Sequence, residues 1–160
     1  MRRTRWQRLA AITIAVGALA TWLTTWLEQR GPGMPQVPWL VVAVELVLAA
    51  VVLWMGWAVR QYQRGKRPTL DGIRAARTAV LAKAACYTGA LLTGWYGGQA
   101  VAYLLDVGTP GKGSRAAAAA IAAGGALVLA GVGLLVEWFC RIPPPSDEEG
   151  ERGVPDPTAI

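Results

Sequence analysis

Four apolar runs alternate with short polar segments along the chain. They cover about residues 9–27, 39–59, 79–105 and 116–139, and each is bounded by charges, proline or glycine. A spanning helix needs about 20 mostly apolar residues, because a hydrocarbon core about 30 Å thick is crossed at about 1.5 Å per residue. All four runs meet that length. The pattern predicts an all-α fold, an integral membrane four-helix bundle within residues 1–141, with no separate soluble domain. No internal repeat suggests the inverted halves of a transporter.

The segments between the runs are of three kinds. "EQRGPGMPQVP" is rich in proline and glycine and too short to fold alone, so it is a connector. "RQYQRGKRPTLDGIRAARTAV" changes character at Pro68, where Thr69 or Asp71 would cap a helix that continues into the third run. Residues 142–160 join a triple proline to a short acidic cluster with almost no large apolar side chains, the composition of a disordered cytoplasmic tail.

Composition reinforces the pattern. Hydrophobic residues make up 54% of the chain, charged ones only 16%, and there are eight tryptophans, so a soluble domain is an awkward fit. Charge then sets the orientation, since short cytoplasmic loops collect Lys and Arg. Arg2, Arg3, Arg5 and Arg8 precede the first run, and Arg60, Arg64, Lys66, Arg67, Arg74 and Arg77 lie between the second and third. The other two loops hold only Arg30, Lys112 and Arg115. Both termini are therefore expected in the cytoplasm of a multi-pass plasma-membrane protein. The net charge of +6 becomes a basic face against anionic lipid headgroups. Nothing in the basic loop resembles a nucleic-acid-binding fold, and none is expected as a partner.

The N-terminus admits a second interpretation. A basic start, an apolar stretch and the triplet Ala18-Leu19-Ala20 resemble a cleavable signal peptide. A retained span is preferred, because the apolar run continues to Leu27 with Trp22 and Trp26 placed like an interfacial belt.

Within the runs, the polar residues are the candidates for chemistry. Glu45 stands about 9 Å below the outer surface of the core, counted at 1.5 Å per residue, and Thr21 and Gln99 fall at a similar depth. The three form a candidate intramembrane polar cluster, with Glu45 expected to be hydrogen-bonded to Gln99, Thr21 or Thr24. An ionised carboxylate there costs a few kcal/mol unless paired, hydrogen-bonded or wetted. Glu45 then serves either as a structural hydrogen-bond hub or as a cation or proton site. The hub is preferred, because no histidine and no series of acidic groups marks a proton path.

Lys83 and Glu137 are expected to pair at the inner interface. Gly89, Gly94, Gly97, Gly98, Gly124 and Gly125 are candidate helix-packing glycines, since small residues let backbones approach in lipid. The spacing Gly94-x-x-x-Gly98 fits packing within the bundle or a dimer. Trp95 and Tyr96, beside these glycines, either fill notches of a neighbouring helix or line a small pocket. Cys86 and Cys140, without any histidine, make no recognisable zinc site. P-loop, GxSxG and HExxH patterns are also absent. No cofactor, metal or self-contained catalytic centre is expected.

The order of features carries a resemblance. "RAARTAVLAKA", "WYGGQAVAYLL" and "VEWFCRIPPP" follow one another, with Tyr96, Gly97 and Gly98 and the spacing Glu137-x-x-Cys140-x-x-Pro143 as the most recognisable pieces. The chain resembles an actinobacterial family of small four-span membrane proteins, a domain of unknown function. The resemblance implies genes often placed beside folate-biosynthesis genes, in particular that of the pterin pyrophosphokinase, and it carries over no catalytic role. The expectation is a non-enzymatic accessory or scaffold subunit of an envelope complex, with a membrane-protein partner or as a homo-oligomer. The alternative is a small transporter or permease subunit with Glu45 in its pathway.

Overall fold

The computed structural model describes residues 6–31, 35–63 and 72–139, with side chains from 6–31, 35–61 and 77–139. Among these residues the chain is all-α. Helix α1 runs Trp6–Glu28, α2 Trp39–Gln63, α3 Gly72–Leu104 and α4 Lys112–Phe139. The expected tail at 142–160, Cys140 and the proposed caps Thr69 and Asp71 lie outside the described residues. Three helices, α1, α2 and α4, are long and apolar enough to cross a membrane. The remaining helix, α3, has 33 residues and so extends about 50 Å, and it carries Arg77 and Lys83 in its first half.

The helices form an open array in the order α1, α3, α4, α2. Helix α3 packs along α4 on one side and α1 on the other, and α2 packs mainly on α4 with a smaller contact to α3. Among the described residues α1 does not pack along α2 or α4, although its last residue, Glu28, meets Lys112 at the start of α4. The register of each seam follows from its closest contacts. Thr13 of α1 donates its hydroxyl to the carbonyl of Ala90 at 3.1 Å, and Thr21 donates to that of Gly98 at 3.0 Å, both pairs separated by 77 residues. A constant offset means that α1 and α3 run parallel. Glu45 lies on Gly125 and Gly56 on Val136, so α2 and α4 are also parallel. In the α3–α4 seam, Gly89 meets Ala126 and Ala130 while Gly133 meets Ala82 and Cys86, an antiparallel order. The start of α1, the end of α2, the start of α3 and the end of α4 therefore share one end of the array. Arg8, Arg60 and Arg77 all belong to it.

The surface and interior are apportioned unlike those of a water-soluble protein. Exposed positions include Ile14, Trp22, Val47, Trp54, Leu91, Ile121 and Leu127. The buried positions are mostly small, among them Ala20, Ala82, Ala90, Ala119, Ala122 and Ala126. Such a surface suits a hydrocarbon solvent, where helices are joined by close backbone packing because apolar burial gives no net gain.

Glycine makes the close approach possible at particular points only. A Cβ on Gly94 would come 2.6 Å from the carbonyl oxygen of Thr13, and one on Gly98 would collide with the carbonyl of Gly17. Gly89 is equally confined, 2.6 Å from the amide nitrogen of Ala130. Gly97 and Gly124, expected to pack helices, do not: a Cβ at either meets nothing within 4 Å. Each is turned away from the seam by one residue, or about 100° of helix, from its packed neighbour Gly98 or Gly125. Packing glycines not singled out from the sequence are Gly56 against Val136 and Gly133 against the Ala82–Cys86 turn.

The seam predicts a sharp contrast between neighbouring positions. Gly94→Val is expected to lower stability by about 1–3 kcal/mol through overpacking against backbone, and Gly97→Ala to leave it unchanged. Thermal unfolding of the two variants in detergent checks this, and equal behaviour would contradict the register.

Candidate functional site

On α2 the buried positions are Glu45, Ala49, Val52, Gly56 and Val59, spaced four, three, four and three residues apart. That spacing draws one stripe down a helix, and the stripe faces α4. Glu45 thus occupies a packing position that the rest of the stripe fills with small or apolar residues. Its side chain is 3% exposed. One carboxyl oxygen, Oε2, would stand 2.6 Å from a Cβ at Gly125, so the group lies directly on the α4 backbone in a space that a larger residue would close.

Neither carboxyl oxygen has a hydrogen-bond partner among the described residues. The expected hub is therefore not formed: no hydrogen bond joins Glu45 to Gln99, Thr21 or Thr24. The reason is the order of the helices. Helix α1 lies at one flank of the array and α2 at the other, so Thr21 and Thr24 face α3. The Thr21 hydroxyl is already shared between the carbonyls of Gly17, at 2.9 Å, and Gly98. Thr21 and Gln99 do share a level, because Gly98 precedes Gln99. Glu45 sits lower, since Gly125 adjoins Ala126, which stands at Gly89 of α3. Gln99 is buried on α3, and Thr24 is buried in the α1–α3 seam with its hydroxyl oxygen unpartnered.

Lys83 and Glu137 lie toward the same end of the array, the end that holds Arg60 and Arg77. Glu137 lies one turn beyond Gly133, which packs against Ala82 and Cys86, while Lys83 lies one residue around the helix from the seam position Ala82 and is half-buried. Trp95 and Tyr96 are half-buried on α3. Among the described residues no group of three His, Cys, Asp or Glu side chains is gathered.

Two charged arrangements at the ends of the array were not read from the sequence. At the end shared by Arg8 and Arg77, the Arg60 guanidinium stands 4.4 Å from the Phe139 ring centroid and 6.0 Å from those of Trp57 and Trp138, a cation–π cluster across α2 and α4. At the opposite end, Lys112 bridges Glu28 at 2.7 Å and Asp106 at 2.5 Å, tying the end of α1 to the α3–α4 turn. The turn is closed by Gly111 at φ +84, a conformation that favours glycine. Hydrogen bonds from Lys112 and then Thr109 hold the Asp106 carboxyl below its ordinary value of 3.8. The bridge links residues 84 positions apart, and no local pattern announces it.

Residues 9–144 match the model of a family described as a protein of unknown function, DUF3180. The chain belongs to that family. The match covers all four helices of the array except the first turn of α1, so the Glu45 site and the glycine seams lie within the family's domain. No curated protein and no solved structure matches the chain.

An unpartnered buried carboxyl should weaken the fold. A buried polar group left without its hydrogen bond costs about 1–3 kcal/mol, so Glu45→Met is expected to raise stability by about that amount. The thermal midpoint in detergent reads it directly. A clear loss of stability would show that the carboxyl holds the α2–α4 seam after all.

Proposed function

We propose that this family member is a multi-pass plasma-membrane protein acting as a non-enzymatic accessory or scaffold subunit of an envelope complex. In this reading all four helices span the bilayer, and α3 crosses as an inner helix with its basic first turns among the headgroups. Both termini lie in the cytoplasm. The basic end of the array, with Arg8, Arg60 and Arg77, rests on anionic lipid.

The observation that carries the reading is the openness of the array. Among the described residues α1 packs along α3 and not along α2 or α4, apart from the Glu28–Lys112 bridge at its end. An open row of helices suits lateral association with another membrane protein, or with a second copy, better than it suits a lone carrier. The hydroxyls of Thr13, Thr21 and Thr93 are taken up by helix carbonyls, so they support packing and do not line a path. The actinobacterial source and the folate-gene neighbourhood belong to this same reading, and no pterin site is assigned.

A second reading, a transporter or permease subunit working as an oligomer, draws its support from Glu45 alone. Purification of tagged protein at native expression in mild detergent, followed by mass spectrometry, separates the two. The accessory role predicts a near-stoichiometric membrane-protein partner. A self-contained oligomer with no partner, together with transport that Glu45→Gln abolishes, would overturn it.

A further inference from the structure

The α2–α4 seam opens, at the end opposite Arg60, into a groove of about 720 Å³. Its walls are mostly apolar: Trp39, Val42 and Leu46 from α2 face Ala118 and Ile121 from α4, with the polar side chain of Gln36 also lining it. A volume of this size accepts a small organic molecule. Glu45 lies between Val42 and Leu46 on α2, one turn from Val42, and Gly125 lies one turn beyond Ile121 on α4. Val42 belongs to both places. It lines the groove, and its Cγ1 would be 3.6 Å from a Cβ on Gly125, where the Glu45 oxygen also rests.

We propose that the groove and Glu45 together form a binding site for an amphipathic ammonium compound, a positively charged nitrogen carried on an apolar body. The charge requirement comes from the carboxyl, which is nine-tenths or more buried and has no partner among the described residues. A buried carboxylate is stabilised most by a cationic N–H donor, through a charge-assisted hydrogen bond. The apolar requirement comes from the walls, which satisfy no polar group along most of a ligand's length. Anions are repelled, and neutral alcohols leave the charge uncompensated. Gly125 leaves the space for the polar end, and displacement of the Val42 methyl admits the nitrogen. The proposal rests on the membrane reading above and is independent of the accessory role. The nitrogen belongs either to an aminophospholipid headgroup or to a free lipophilic amine.

Purified protein in phosphatidylcholine nanodiscs, titrated with a brominated alkylammonium ion, tests it. Trp39 in the groove wall reports the bromine by fluorescence quenching, with Trp39→Phe as the reference. The expected result is saturable quenching, with the ammonium bound about tenfold more tightly than a brominated alcohol of equal length. Glu45→Gln should remove that preference. Ile121→Trp should block both ligands by filling the groove, and it tests the site without altering the carboxyl. Equal binding of ammonium and alcohol to the wild type overturns the proposal, as does a preference that survives in either variant. Competition by added phosphatidylethanolamine assigns the site to a lipid, and its absence assigns it to a free amine. A chain that does not insert into nanodiscs overturns the membrane reading itself, whereas insertion without ammonium preference overturns this proposal alone.

Discussion

Close backbone contact at glycine sets the geometry on which the rest of the molecule depends. Gly94 and Gly98 lie against the backbone of α1 around Thr13 and Gly17, and Gly89 lies against that of α4 at Ala126 and Ala130. With the helices this near, threonine hydroxyls reach carbonyls on the next helix, as Thr13 and Thr21 do. In a hydrocarbon solvent neither large apolar side chains nor their burial would hold the array, so these contacts take their place. Helix α3 presents glycines to both neighbours. It is accordingly one of the two inner helices of the array, although it is the least uniformly apolar of the four.

Glu45 departs from that logic. The α2 stripe is otherwise filled by Ala49, Val52, Gly56 and Val59, each suited to contact with α4, and the carboxyl has the same position without a partner. A residue whose local choice conflicts with the packing around it marks a place where something other than stability has set the sequence. The adjoining apolar groove gives that conflict a direction, because it brings a ligand-sized space to the one buried carboxyl whose oxygens are both unpartnered among the described residues. The two ends of the array are handled differently. Lys112 ties α1 to the α3–α4 turn through carboxylates at one end, and Arg60 rests on aromatic rings at the other.

Much of the fold was legible in the sequence, because helix length and apolar content are local properties. The four helices lie where the apolar runs predict them. Helix α3 begins at Gly72, ahead of the run that starts near 79, as a helix continuing from the basic loop would require. Facing and neighbourhood were less accessible. Spacing identified Gly94 and Gly98 but also suggested Gly97 and Gly124, which point into open space, since a motif fixes a period and not the direction of the neighbour. Depth counting placed Thr21, Glu45 and Gln99 in one layer, yet it carries no information on which helices touch. The order α1, α3, α4, α2 separates Thr21 from Glu45, and the α4 register sets Glu45 lower. The same limit explains why the Lys112 bridge was missed.

The proposed topology has α3 crossing the bilayer in parallel with α1, and labelling of single cysteines from each side tests that most directly. In a background with Cys86 and Cys140 replaced by serine, cysteines are placed singly at Arg30, Arg77 and Asp106 and treated in intact cells with a membrane-impermeant thiol reagent. Positions 30 and 106 are expected to react from outside, and position 77 only after the membrane is opened. Labelling of 77 and 106 from the same side would contradict the account, because it would leave α3 on one face of the membrane.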